Sequence, residues 1–219
     1  MTQNYPAPWN LTGKGYIFIL KNRKKFFSRD NFTDGFFKNK FCGGWGLMML
    51  VEYSESNAGP YNELLFIPGK FKFGNRKKYS ITKIYVSSPS SVEWGRKNWA
   101  IPKELANIYF TEVGDNIENV NASMNGKNFF SILLRKLHIP FPVHTSFFPV
   151  PLLQIDEEHK NLFYTKFKGK GVGYPVIVKN VEINSDYFPE ISKKQILFGI
   201  KVENFKITFP LSEKEEIQQ

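Results

Sequence analysis

Apolar and polar positions alternate with a period of two over much of this chain, and helical periodicity is rare. Trp45 to Ser54 reads W-G-L-M-M-L-V-E-Y-S, between the breakers Gly43-Gly44 and Asn57-Ala58-Gly59-Pro60. The flanking breakers and the Tyr/Val content predict a long buried strand rather than a buried helix. Alternate side chains of a strand share a face. Leu47, Met49, Val51, Tyr53 and Glu55 then form one row, with Glu55 at its end facing the interior. Tyr61 to Pro68 is predicted as the next strand, where Tyr61, Glu63, Leu65 and Ile67 form a second apolar row carrying a carboxylate. A carboxylate on such a row costs free energy unless it finds a partner.

The same reading predicts strands at Gly15 to Leu20, Tyr79 to Val86, Asn128 to Leu137, Leu162 to Lys168, Val172 to Asn184 and Leu197 to Pro210. Asn107 to Val113 and Asn119 to Met124 read as a hairpin turning at Gly114-Asp115, and Gly169 to Gly173 as another turn. Val92 to Trp99 reads as a helix, capped by Ser90 or Ser91 and ended by Pro102. Asn22 to Asn39 is basic and aromatic with room for a short helix. Pro140 to Pro151 is proline-punctuated and extended. The charged tail from Ser212 is expected to fray. About ten strands with little helix point to an antiparallel barrel or curled sheet around an internal cavity.

The 219 residues suit a single domain spanning 1–219, because no Ser/Gly/Pro-rich linker divides them. Phe is heavily used (22 residues), which favours strands and an aromatic-lined pocket. The single cysteine, Cys42, permits no disulfide within the chain and reads as a buried, inert thiol, in keeping with a reducing, cytoplasmic setting. No signal-like segment opens the chain, and no apolar run is long enough to span a membrane. The net charge is +10, and Lys/Arg clusters occur at Lys21 to Lys25, Lys38 to Lys40 and Arg76 to Lys78. These lie in separate polar stretches without a nucleic-acid motif, so nucleic acid is not an expected partner. The three histidines lack ligand spacing, so neither a metal nor a cofactor is expected.

The candidate chemistry lies in Val92 to Leu105, V-E-W-G-R-K-N-W-A-I-P-K-E-L. Lys103 follows a proline in an apolar setting of Trp94, Trp99, Ile101 and Leu105. Desolvation disfavours an ammonium, lowers its pKa and frees the amine to attack a carbonyl and form an imine. The motif G-R-x-x-x-x-I-P-K-x-L, with Y-S-E-S about forty residues upstream and P-Y-N-E-L-L-F-I-P-G after that, resembles the acetoacetate decarboxylase-like superfamily. The resemblance implies a cone-shaped antiparallel β-barrel, an internal active site and assembly into homo-oligomers.

It also implies roles. Lys103 falls on the Schiff-base lysine and Glu55 on the glutamate of the Y-T-E-S motif. Arg96 falls on the arginine of the G-R pair, to clamp a substrate carboxylate or to hold Glu55 or Glu63. Lys14 falls where the decarboxylases place an arginine for the substrate carboxylate. Glu63 has no counterpart among these motifs; on its apolar row it reads as a carboxylate paired with Arg96 or Lys103, or with a role in the chemistry, and Tyr61 and Trp99 stand beside it as substrate-binding or supporting residues. Two departures matter. Glu104 replaces the second lysine that follows the motif lysine in the decarboxylases, and whether it raises the Lys103 pKa depends on the face it takes. A second acidic residue of the decarboxylases is absent, the region around Gly46 being apolar. The expected function is a cofactor-free Schiff-base lyase on a small oxo acid, of decarboxylase or aldolase/dehydratase type. The alternative is a catalytically inactive barrel that binds an apolar small molecule.

Overall fold

A computed structural model describes residues 3–21, 32–147 and 149–217. The chain is mainly β, as expected, but its strands form two sheets. The larger is built from β1 (Trp9–Leu20), β3 (Gly46–Glu55), β4 (Tyr61–Ile67), β7 (Lys83–Val86), β8 (Lys103–Leu105), β9 (Asn107–Gly114), β10 (Ile117–Met124), β11 (Lys127–Lys136), β12 (Phe141–His144), β15 (Lys168–Ile183) and β16 (Ile196–Phe209). The smaller contains β2 (Phe41–Gly43), β5 (Lys70–Phe73), β6 (Arg76–Tyr79), β13 (Leu152–Ile155), β14 (Asn161–Thr165) and β17 (Glu213–Glu216).

The larger sheet runs β8-β7-β4-β3-β1-β16-β15-β11-β10-β9, with β12 paired to β15. It curls, but its hydrogen bonding does not close it into a barrel. It is also mixed rather than antiparallel, since β8 runs parallel to β7. The smaller sheet has its own parallel contact, between Leu152 of β13 and Tyr79 of β6. The reason lies in the connection to β8. Helix α2 (Pro89–Trp99), which follows the four-residue helix α1 (Gly35–Lys38), carries the chain back so that β8 enters beside β7 in the same direction. A parallel neighbour requires such a crossover.

Two faces of the larger sheet are buried. On the inside of the curl, Tyr16, Phe18, Met48, Leu50, Leu64 and Phe66 pack against Ile108, Val120, Phe130 and Ile132 from the far side. Side chains from both ends of the sheet thus meet across the inside of the curl. On the other face, Trp9, Val51, Tyr53, Tyr61, Leu65, Ile84 and Val86 are covered by Trp99, Ile101 and Phe205. A third cluster, Phe37, Phe71, Phe73, Leu153 and Ile155, joins α1 to the smaller sheet.

Several boundaries differ from the sequence reading. β1 begins at Trp9, six residues before Gly15. The Gly169 to Gly173 stretch is not a turn but part of β15, where a Cβ at Gly171 would come 2.7 Å from Val202 Cγ1. In the tail after Ser212, Glu213 to Glu216 are not frayed but paired with β14. Helix α2 is capped by Ser88, whose side chain accepts from the Ser91 amide, with Pro89 at the first turn. Cys42 is exposed rather than buried, its Sγ 3.2 Å from the Lys70 carbonyl. Of the Asn22 to Asn39 stretch, residues 22–31 lie outside the described residues. Among the described residues no helix is long and apolar enough to cross a membrane.

Candidate active site

Lys103 opens β8 as the chain leaves α2. Ala100 ends the helix in the left-handed region (φ 52°), and Ile101 and Pro102 turn the chain back beneath it. The Lys103 side chain then runs under the helix and is 4% exposed. The contact is close enough that a Cβ on Gly95 would stand 2.6 Å from Lys103 Cδ, so only glycine lets the helix lie there undisturbed.

At the end of that side chain, Lys103 Nζ donates to Ser91 Oγ at 2.9 Å, Glu63 Oε2 at 3.2 Å and Tyr61 OH at 3.5 Å. The Tyr53 hydroxyl donates to the other Glu63 oxygen at 3.4 Å. The Tyr61 and Trp9 rings lie 5.0 and 6.0 Å from Nζ. Glu63 and Ser91 are as buried as the lysine. Three elements therefore meet here: β4 brings Tyr61 and Glu63 on one face, α2 brings Ser91 down from above, and β8 brings the amine.

The electrostatics correct one expectation. Burial opposes the Lys103 ammonium, but the Tyr61 oxygen and the Glu63 carboxylate outweigh it and hold its pKa above the ordinary lysine value. The resting amine is therefore protonated. Tyr61 is also pushed up, chiefly by burial against the lowering effect of Lys103, so its phenol stays neutral. Tyr53 is pushed well up by burial and by Glu63.

Glu104, the neighbour in sequence, points away. Lys103 is in register with Ile84 and Glu104 with Tyr85, so the two take opposite faces of the β7–β8 pair. Glu104 binds Lys83 Nζ at 2.6 Å instead. Trp99 is buried as a wall, its indole N–H bonded to the Pro210 carbonyl and its ring 5.0 Å from Trp9. Trp94 is partly buried beside Tyr5, and Leu105 is half exposed rather than part of the apolar setting.

Three expected site residues lie elsewhere. Glu55 does not face the interior. Thr12 of β1 pairs with Glu55 and Gly13 with Tyr53, so a bulge at Ser54 breaks the alternation and turns Glu55 out to solvent near Thr12 Oγ1. Lys14 lies on the opposite face from Lys103. It is in register with Glu52 and hence Asn62, whereas Gly15, Val51 and Glu63 align on the lysine's side. Lys14 instead pairs with Glu52 and Glu118 at 3.3 and 3.2 Å. Arg96 holds neither Glu55 nor Glu63. Its Nε donates to the Lys103 carbonyl at 2.9 Å and its guanidinium reaches Glu157 at 3.0 Å. It lines a cleft of about 1030 Å³ with Lys83, Glu104, Ile101 and Thr82, on the far side of β8 from the amine. Among the described residues no cluster of His, Cys, Asp and Glu is grouped to hold a metal.

Ser91 was anticipated only as a helix cap. Its side chain reaches the amine because it is three residues into α2 on the helix's buried face, a position that depends on Ser88 and Pro89 starting the helix where they do. Hydropathy does not mark it.

Neither a family sequence model nor a curated protein matches this chain. Solved structures do. An acetoacetate decarboxylase superposes with TM-score 0.70 over 96% of this chain and 89% of its own, at 10% identity. The acetoacetate decarboxylase of Legionella pneumophila gives 0.68 over 99% and 90%, at 12% identity. The enduracididine biosynthesis enzyme MppR, solved in complex with pyruvate, gives 0.60 over 99% and 92%, at 12% identity. The chain thus has the acetoacetate decarboxylase-like fold. That is the superfamily its G-R and P-K motifs resemble.

Proposed function

We propose that this protein is a cofactor-free lyase that works on a small carbonyl compound through an imine at Lys103. The observation that carries the reading is the contact set of Lys103 Nζ: one carboxylate and two hydroxyls around a buried amine, in this fold. The MppR structure with pyruvate supports it, because pyruvate offers the kind of ketone such an amine attacks.

The resting ammonium passes a proton to Glu63 Oε2, 3.2 Å away, as the carbonyl arrives. The exchange turns a charged pair into a neutral one with no change in net charge, which suits a dry site. The amine adds to the carbonyl carbon, and a proton shift within the adduct gives the carbinolamine. Glu63 returns its proton to the leaving hydroxyl, water departs, and an iminium remains opposite a carboxylate again. Ser91 and Tyr61 can each accept and donate, so they serve as relays and as anchors for the reacting oxygen. The iminium then draws electrons from a C–C or C–H bond beside it. This accommodates decarboxylation as well as aldol or dehydration chemistry.

Incubation with oxo acids and simple ketones, reduction with cyanoborohydride and peptide mapping test the reading. A reduced adduct is expected on Lys103 and is lost in Lys103→Ala. An adduct-free, folded wild-type protein would sink it. The second reading, a ligand-binding protein without catalysis, draws on the near-complete enclosure of Lys103 and on the partners that hold its pKa up. It requires that Lys103→Ala keep its ligand.

A further inference from the structure

We infer that the Lys103 site takes an uncharged carbonyl compound, a ketone or aldehyde without a carboxylate, and disfavours oxo acids; this rests on the imine reading above and narrows it. The argument is one of charge. Lys103 and Glu63 are both buried, and one positive charge meets one negative charge whether nitrogen is present as ammonium or as iminium. A substrate carboxylate beside them is a second negative charge in the same low-dielectric space, and it needs its own cation.

Among the described residues, four cations on the adjoining elements are turned away and engaged. Lys14 of β1 is on the other face, bound to Glu52 and Glu118. Lys201 of β16 is in register with Tyr16, also on that face, and binds Glu118 at 3.2 Å. Lys83 of β7 lies on the Glu104 side of its strand. The Arg96 guanidinium is taken by the Lys103 carbonyl and Glu157. What faces the amine is aromatic or hydroxylic: Tyr61, Trp9 and Ser91, with Tyr53 behind Glu63. These groups suit a carbonyl oxygen and an apolar body.

Decarboxylation is then disfavoured, because its substrate carries the charge that these described residues leave uncompensated. Retro-aldol cleavage of a β-hydroxy ketone remains and balances within the site. The iminium accepts the electron pair of the bond between the α and β carbons, and the β-hydroxyl proton goes to Glu63 as an aldehyde leaves. Glu63 returns that proton to the enamine carbon, and hydrolysis consumes the water released when the imine formed.

The test uses matched pairs on the intact protein: pyruvate against methyl pyruvate, and levulinate against methyl levulinate. Each is trapped with cyanoborohydride, and the Lys103 adduct rate is divided by the same compound's rate on a free lysine derivative, which removes intrinsic electrophilicity. The esters are expected to lead their acids by about tenfold or more, the scale of a single uncompensated charge nearby. Acids that match or outpace their esters overturn the substrate class while leaving the imine reading intact. No Lys103 adduct with any of the four overturns the imine reading, and the substrate class with it.

Discussion

Two buried lysine–glutamate sites sit on opposite faces of the larger sheet, built from similar residues to different ends. On the inside of the curl, Glu118 of β10 accepts from Tyr16 at 2.5 Å and from Lys14 and Lys201 at 3.2 Å each. Its lysines continue outward to Glu52 and Glu203, and Glu203 also takes Lys136. Burial pushes the Glu118 carboxyl up, but the Tyr16 hydrogen bond and the two lysines outweigh it and hold the pKa below the ordinary value. Every partner is a donor to a saturated anion, so a proton has no reason to move. On the outer face the centre is an amine, and its partners are one carboxylate and two hydroxyls that both donate and accept. There a proton can pass from Lys103 to Glu63 without changing the net charge. The contrast separates a fastening that ties β10 to β1 and β16 from a group placed to exchange protons.

The most severe way to break the comparison is Glu118→Gln. It leaves Lys201 and Tyr16 around a neutral amide, and removing one partner of a buried ion pair costs about 3–5 kcal/mol. Denaturant midpoints should fall accordingly, while Lys103 trapping per folded molecule stays unchanged. The pH profile sharpens the point. A carboxyl with a lowered folded pKa contributes stability that is complete above its unfolded value and drains away as pH falls through the folded one. Wild-type protein should therefore lose stability on the acid side of 4.5, the ordinary value for this carboxyl, and Glu118→Gln should flatten that limb. A loss of Lys103 trapping in this variant would show that the two faces are not independent.

Gly95→Ala tests the outer site from above. Inside a helix this change ordinarily stabilises by about 1 kcal/mol. Here the new methyl would meet Lys103 Cδ at 2.6 Å and Cε at 2.9 Å, so the lysine must leave its place beneath the helix. Overpacking of about 1–3 kcal/mol should cancel or reverse the gain. The Lys103 adduct should fall steeply, because Nζ can no longer reach Ser91, Tyr61 and Glu63 together. A more stable protein with unaltered trapping would mean that the close helix contact has no part in positioning the amine.

The legibility of the chain follows from which forces are local. β3 and β4 were readable because both of their faces are buried, which gives near-continuous apolar runs, Leu47 to Val51 and Leu64 to Ile67, between Gly and Pro breakers. Glu63 stood out as a carboxylate on an apolar row. Lys103 was visible through its motif, and Glu104 had two possible directions until the β7–β8 register chose one. The β5–β6 hairpin was hidden because its lysines mask the inward Phe71 and Phe73. Its neighbour β13 presents only four residues. The Glu118 site could not be read at all, since Tyr16 and Glu118 lie 102 residues apart and nothing local to either announces the other.

Glu55 shows the limit of motif and period together. Both placed it inside: the Y-S-E-S motif because it resembles a catalytic signature, and the alternation because Glu55 continues the row of Val51 and Tyr53. One extra residue in the β1–β3 ladder defeats both, because the bulge at Ser54 rotates the end of the strand and leaves Glu55 in water beside Thr12. Glu55→Gln is thus the smallest expected effect in the molecule. An exposed carboxylate with one weak hydroxyl contact should change stability by no more than about 0.5 kcal/mol, and trapping at Lys103 should match wild type. The measurement that checks it is the ratio of adduct rates, with Glu63→Gln beside it as the positive control for losing a carboxylate that does touch the amine. Should Glu55→Gln slow trapping while Glu63→Gln leaves it alone, the proton-accepting role passes from Glu63 to Glu55, and the end of β3 must swing inward when substrate binds.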